Sequence, residues 1–224
     1  MSAKAISRTS KLLPRVLVPI VSALGSIVQP ERADLVGISN ETIGYVTYEK
    51  LLAQMKSTAQ GRELLRRKPR IAEDTLLLAK SCSPGTLGKM YAEFMEINGF
   101  HPEERPPVRF TDGEQLMFVA TRAREIHDIL HVVFDCPTNL KGELALKAIE
   151  FVQYGLPAHW ASTYFAASRL SIAERTLLEG RILPWAIRTA GRTPNLICYD
   201  FERLFDVQIT QVRAKWQINH FQTS

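Results

Sequence analysis

The chain predicts an all-α fold, built as one mainly helical domain, and three observations support this. Apolar residues recur at helical spacing almost throughout. Alternating strand patterns are short and few, and capping residues, glycines and prolines mark helix starts and stops at regular intervals. The first helix is expected from about Tyr45 into the region of Lys56, with Leu51, Leu52 and Met55 facing inward. Gln60 to Lys68 follows as a short basic helix stopped by Pro69, and Thr75 to Lys80 as a further short piece. Pro84-Gly85 breaks the chain before a helix over Thr86 to Asn98, where Leu87, Met90, Tyr91, Phe94 and Met95 form an apolar stripe and Gly99 supplies the stop. Pro102 to Pro107 is loop, because its paired prolines forbid a helix, and Val108 to Phe110 is an extended connector.

Asp112, with Gln115 three positions on, reads as the N-cap of one long helix reaching about Phe134, where Pro137 ends it. A second long helix is expected from near Gly142 to Tyr154, stopped by Gly155-Leu-Pro157, and another over Ala158 to Arg169. Ser171 and Glu174 make a capping box for a helix from Ile172 to about Leu183. Thr193-Pro194 has the N-cap and first-turn proline of yet another helix, and Asp206 to Phe221 is amphipathic. Core burial is the expected fate of at least two of Trp160, Trp185 and Trp216.

The length suits one domain with a full core. The three cysteines, Cys82, Cys136 and Cys198, are odd in number and widely spaced, which argues against a disulfide framework and for a reducing compartment. The net charge of +5 is unevenly spread. Lys4, Arg8, Lys11 and Arg15 precede the first acid, Glu31, and a second cluster holds Arg62, Arg66, Arg67, Lys68 and Arg70. No aromatic interleaving accompanies them, so nucleic acid is not expected as a partner, whereas an anionic membrane surface is. The apolar run from Val16 to Val28 is too short to span a bilayer and is broken by Pro19. Residues 1–30 are therefore set apart as a basic and apolar segment that lies on a membrane or packs on a partner subunit, and residues 31–224 as the helical domain. A transit peptide would also suit so basic and acid-free a start.

The chemistry concentrates in Glu125-Ile-His-Asp-Ile-Leu-His131. Residues four apart share a helix face, so His127 and His131 project together as half of a metal site. The short link to the next helix favours antiparallel neighbours, which brings Glu143 about a turn from His131. On a helical wheel His127 falls among apolar side chains, His131 on their border and Asp128 further toward solvent. Asp128 is thus a strained fourth ligand or a general base. The alternative is two ordinary helix histidines with incidental acids. A set of nitrogen and oxygen donors without thiolate suits a divalent ion, with zinc first and iron(II), manganese or magnesium open.

Beyond the motif, Pro102 to Phe110, Arg124 to His131, Gly142 to Lys147 and Phe151 to Pro157 resemble the coenzyme Q biosynthesis protein 4 family. The similarity runs from about Tyr45 to near the C-terminus. The family motif His-Asp-x-x-His, with a glutamate after eleven intervening residues, is met by His127, Asp128, His131 and Glu143. The resemblance implies a mainly helical, peripheral membrane protein of ubiquinone biosynthesis, with zinc at the motif. It also implies a complex with other quinone-biosynthesis proteins and a role in oxidative decarboxylation at ring carbon 1 of a prenylated 4-hydroxybenzoate. Localisation follows as the cytoplasmic face of a bacterial membrane, or the matrix side of the mitochondrial inner membrane in a eukaryote. The lack of a convincing long presequence points to a bacterial or processed member.

Two functions are carried forward, with a homodimer open in both. In the first the chain is a lyase-type enzyme. His127, His131 and Glu143 hold the ion, and Asp128 and Glu143 serve catalysis. Arg124 takes the negative charge of the substrate, or else pairs with Asp128 at i+4. In the second the chain is a lipid-binding scaffold without turnover, whose apolar stripe, Tyr91 and Met95 included, lines a groove for an isoprenoid. Plain core packing is the competing reading of that stripe. A metallohydrolase is disfavoured, because Asp128 is one methylene shorter than the glutamate base those enzymes place after the first histidine.

Overall fold

Helical spacing of the apolar residues gives a helical molecule, and a computed structural model shows how the pieces assemble. It describes residues 45–221 except 105–106, 109–110, 112, 157–158, 160–162, 164–166 and 168. The helices are α1 (Tyr45–Ser57), α2 (Ala59–Arg67), α3 (Glu73–Ser81), α4 (Leu87–Asn98), α5 (Glu114–Glu125), α6 (His127–Phe134), α7 (Leu140–Tyr154), α8 (Ile172–Leu177), α9 (Leu183–Arg192) and α10 (Ile209–Lys215). Among the described residues there is no strand, only an isolated bridge between Thr86 and Gln208. The fold is a single all-α domain.

The caps follow their side chains. Thr58 accepts from the Gly61 amide, Thr86 from that of Lys89 and Asn139 from that of Gly142, while Ser171 and Glu174 close the expected capping box. Gly99 and Gly155 end α4 and α7 in the left-handed region, as their places after the apolar stripes required. The inward residues of α1 and the α4 stripe join one continuous core, and Trp185 and Trp216 are buried within it. All three cysteines are buried free thiols.

The site helix α6 packs against α4, α7 and α10. Long-range ties hold it and the neighbouring helices in place. Arg213 of α10 is buried and donates to the carbonyls of Val132 and Val133 at 2.7 and 3.1 Å, satisfying orphan acceptors at the α6 C-terminus where positive charge is favoured. The C-terminal segment in turn caps α4. The Leu87 and Gly88 amides donate to the carbonyls of Val207 and Phe205 at 2.8 and 3.0 Å. On the other side, Arg122 of α5 is fully buried and donates to the Tyr199 carbonyl at 2.7 Å beside Glu202. Glu125 accepts from Arg70 at 2.6 Å and from the Ile71 amide at 3.2 Å.

Three expectations need correction. The long helix expected to reach Phe134 is interrupted at Ile126 (φ −78, ψ −8), so that His127 opens a helix of its own. Neither proline nor glycine marks the break. The helix from Ile172 does not stop near Leu183. A π turn over Leu178–Ile182, in which the Leu183 amide reaches back to the Leu178 carbonyl, leads into α9 with Pro184 in its first turn. The wider turn relieves the clash that makes proline a helix breaker, which is why Pro184 continues the rod. Thr193-Pro194 ends α9 rather than starting a helix, and only a 3-10 turn over Leu196–Cys198 follows. Asp112, residues 1–30 and Trp160 lie outside the described residues, as does most of the segment Ala158 to Arg169.

Gly142, in the first turn of α7, faces the loop that leaves α6. A Cβ there would lie 2.0 Å from the Pro137 carbonyl oxygen. Gly142→Ala should therefore destabilise the fold by about 1–3 kcal/mol in urea unfolding, the magnitude of core overpacking. Stabilisation, the usual sign for glycine to alanine in a helix, would contradict this packing.

Candidate metal centre

Two side chains of α6 and one of α7 meet. The Nε2 atoms of His127 and His131 lie 3.2 Å apart, and Glu143 Oε1 lies 3.1 Å from His131 Nε2. Glu143 Oε2 is 3.8 Å from His127 Nε2. One ligand atom from each residue falls within 4.8 Å of the others. Glu143 pairs with His131 late in α6, and Glu150 pairs with His127 at its start. This crossed order shows that the two helices run antiparallel, as the short link required.

The far side of each ring is engaged. His131 Nδ1–H donates to the Cys136 carbonyl at 2.9 Å, and His127 Nδ1 meets Glu150 Oε1 at 2.9 Å. A carbonyl and a carboxylate can only accept, so the protons of neutral rings sit on Nδ1. Both Nε2 lone pairs then face each other and a carboxylate oxygen. Such a focus needs positive charge, from a metal ion or from ring protonation. Ligand atoms at zinc–nitrogen distances and tetrahedral angles lie roughly 3.3 Å apart, which is close to the spacing seen here. The donors present therefore fit a divalent ion.

Burial opposes ionisation of Glu143, but protonated His131, which then donates to it, together with the charge of His127 and Lys147, outweighs burial and holds the carboxyl down at about 2. Burial likewise opposes ionisation of Glu150, and His127 and His159 flanking it bring the carboxyl well below the ordinary range. Burial drives the Cys136 thiol far upward, so that residue serves through its backbone carbonyl and not its sulfur.

The placement of the motif differs from the helical-wheel expectation. His131 is the rooted ring, with its side chain 1 % exposed and stacked on Phe94 at 5.3 Å, whereas His127 is 18 % exposed. Asp128 is buried rather than turned to solvent, and it stands outside the three-residue group. Arg124 is half-buried near the end of α5. Tyr91 and Met95 are buried in the core, and half-buried Phe94 is the stripe residue that reaches the histidines. Sequence reasoning gave the Cys136 carbonyl and Glu150 no part in the site, and placed Phe94 in the apolar stripe without a contact to the histidines. The seven-residue spacing from Glu143 to Glu150 was the one available signal, since it sets both on one face of α7.

Comparison with known proteins agrees with the motif. The model of the family "Coenzyme Q (ubiquinone) biosynthesis protein Coq4" matches residues 7–222. The chain belongs to the Coq4 family. It is 36 % identical over 208 residues to a mitochondrial ubiquinone biosynthesis protein COQ4 homologue of Bos taurus, covering 92 % of this chain and 78 % of that one. Identity to the human homologue is 35 % over 196 residues, 87 % of this chain and 74 % of that one. A crystal structure from Nostoc punctiforme, provisionally described as a ubiquinone biosynthesis protein, shares the fold with a TM-score of 0.69 at 23 % identity, covering 92 % of this chain and 97 % of that one. Among the described residues, no helix is long and apolar enough to cross a membrane.

His127→Ala, His131→Ala and Glu143→Ala should each abolish stoichiometric zinc uptake in calorimetric titration. For the unaltered chain, affinity should fall on acidification, because protons compete with the ion for the imidazole nitrogens. Undiminished uptake by any of the three variants would show that the ion sits elsewhere.

Proposed function

We propose that the chain acts in ubiquinone biosynthesis as a metal-dependent protein whose His127, His131 and Glu143 hold one divalent ion, zinc by donor preference. The observation that carries this reading is the pair of facing Nε2 atoms 3.2 Å apart, each ring anchored through Nδ1. The reaction we favour is oxidative decarboxylation at ring carbon 1 of a prenylated 4-hydroxybenzoate, in which the carboxylate leaves as carbon dioxide and a hydroxyl takes its place, with dioxygen as oxygen donor and an external two-electron reductant taking its second oxygen atom to water. When bound, the ion would supply Lewis-acid stabilisation to negative charge on the substrate oxygens.

The remaining roles fall to the chain itself. Lys147, 3.9 Å from Glu143, adds positive charge beside the site, and Arg124 is the second candidate to receive the substrate carboxylate. Asp128, next to His127 and buried, is the acid proposed as fourth ligand or proton acceptor. Phe94, edge-on to Phe100 and stacked on His131, offers the apolar surface on which the start of an isoprenoid tail would lie. Tyr91 and Met95 back that surface from within the core. Peripheral attachment to a membrane and contact with other enzymes of the pathway belong to the same proposal.

A second reading, a lipid-binding scaffold without turnover, rests on the same antiparallel pair, because an ion between α6 and α7 would also pin the two helices. Glu143→Gln separates the two. Loss of decarboxylated product with retained lipid binding and partner assembly supports catalysis. Loss of assembly while product formation persists supports the scaffold and contradicts the enzyme.

A further inference from the structure

We propose that Glu150 is the positioning residue of the metal centre, its carboxylate fixing the His127 ring and so setting how tightly the ion is held. The inference rests on the metal-binding reading above and assigns a role outside the His-Asp-x-x-His…Glu motif. The two ligand rings are supported unequally. His131 is enclosed by the core, stacked on Phe94, and tied to the Cys136 carbonyl at 2.9 Å. His127 opens α6 directly after the break at Ile126 and is the more exposed ring.

Glu150 supplies what His127 lacks. Its side chain is 1 % exposed, and its two oxygens reach His127 Nδ1 at 2.9 Å and His159 Nδ1 at 3.1 Å. A buried carboxylate is costly unless its partners hold it. Here one oxygen is hydrogen-bonded to a ligand ring, and the other makes an ion-pair contact with His159. Accepting from Nδ1 keeps the His127 proton away from the ion face and raises the donor strength of Nε2. Glu143 and Glu150 thus divide the work on one face of α7, the first reaching the ion position and the second orienting a ring.

The test is zinc affinity, by competition with a chromophoric chelator, for the full chain and for Glu150→Gln, Glu150→Asp and His159→Gln. Glu150→Gln keeps the shape and removes the charge, and should weaken binding about 10–100-fold. Its metal-free thermal midpoint should not fall, and the visible bands of its cobalt(II) form should change in intensity as the ligand geometry relaxes. Glu150→Asp, which keeps the charge, should recover part of the affinity, and His159→Gln should stay near the unaltered chain. Unaltered zinc affinity in folded Glu150→Gln overturns the inference and leaves the metal reading standing. A Glu150→Gln chain that unfolds without metal also overturns it, because positioning leaves the metal-free fold intact. If the unaltered chain binds no zinc, both readings fall together.

Discussion

Two imidazole nitrogens and a carboxylate converge where α6 meets α7, a cluster that calls for positive charge from an ion or from ring protonation. His127, His131 and Glu143 come from two antiparallel helices, so their meeting depends on the register of α6 against α7. That register is held from several directions. Arg213 grips the end of α6, Phe94 stacks on His131, and the loop after α6 supplies the Cys136 carbonyl while pressing Pro137 against Gly142. Loosening any of these would move the three donor atoms apart. The C-terminal segment, distant in sequence, is therefore part of the site's support.

Much of this was legible because helices announce themselves locally. The capping box at Ser171 and the stops at Gly99 and Gly155 act within one turn of the chain, and spacing alone sets His127 and His131 on one face. What was not legible depends on contacts made across the fold. Nothing in the residues around Ile126 warns of the break, and nothing local shows that His131 and not His127 is the rooted ring or that Asp128 is buried. Pro184 signals a stop, but a π turn upstream lets the helix continue. Glu150 was hidden because a glutamate on a helix face is ordinary until two histidines are found on its oxygens.

Membership of the Coq4 family and the geometry of the site bear on different questions. Membership ties the chain to ubiquinone biosynthesis and to a fold shared with the Nostoc punctiforme structure. The geometry bears on chemistry, and it favours an ion held by two imidazoles and a carboxylate with a charged side chain nearby. An enzyme and a scaffold differ in what that ion does. For catalysis the negative charge of a substrate must be met at the site, where Lys147 lies beside Glu143. For a scaffold, pinning α6 to α7 is sufficient.

The most direct measurement is X-ray absorption at the zinc edge of the zinc-loaded chain. Scattering from two imidazoles and one or two oxygen donors at about 2.0–2.1 Å, with no sulfur, is the expected result. A sulfur shell near 2.3 Å, or a hydrated ion without imidazole scattering, would contradict the convergence of His127, His131 and Glu143 on one cation.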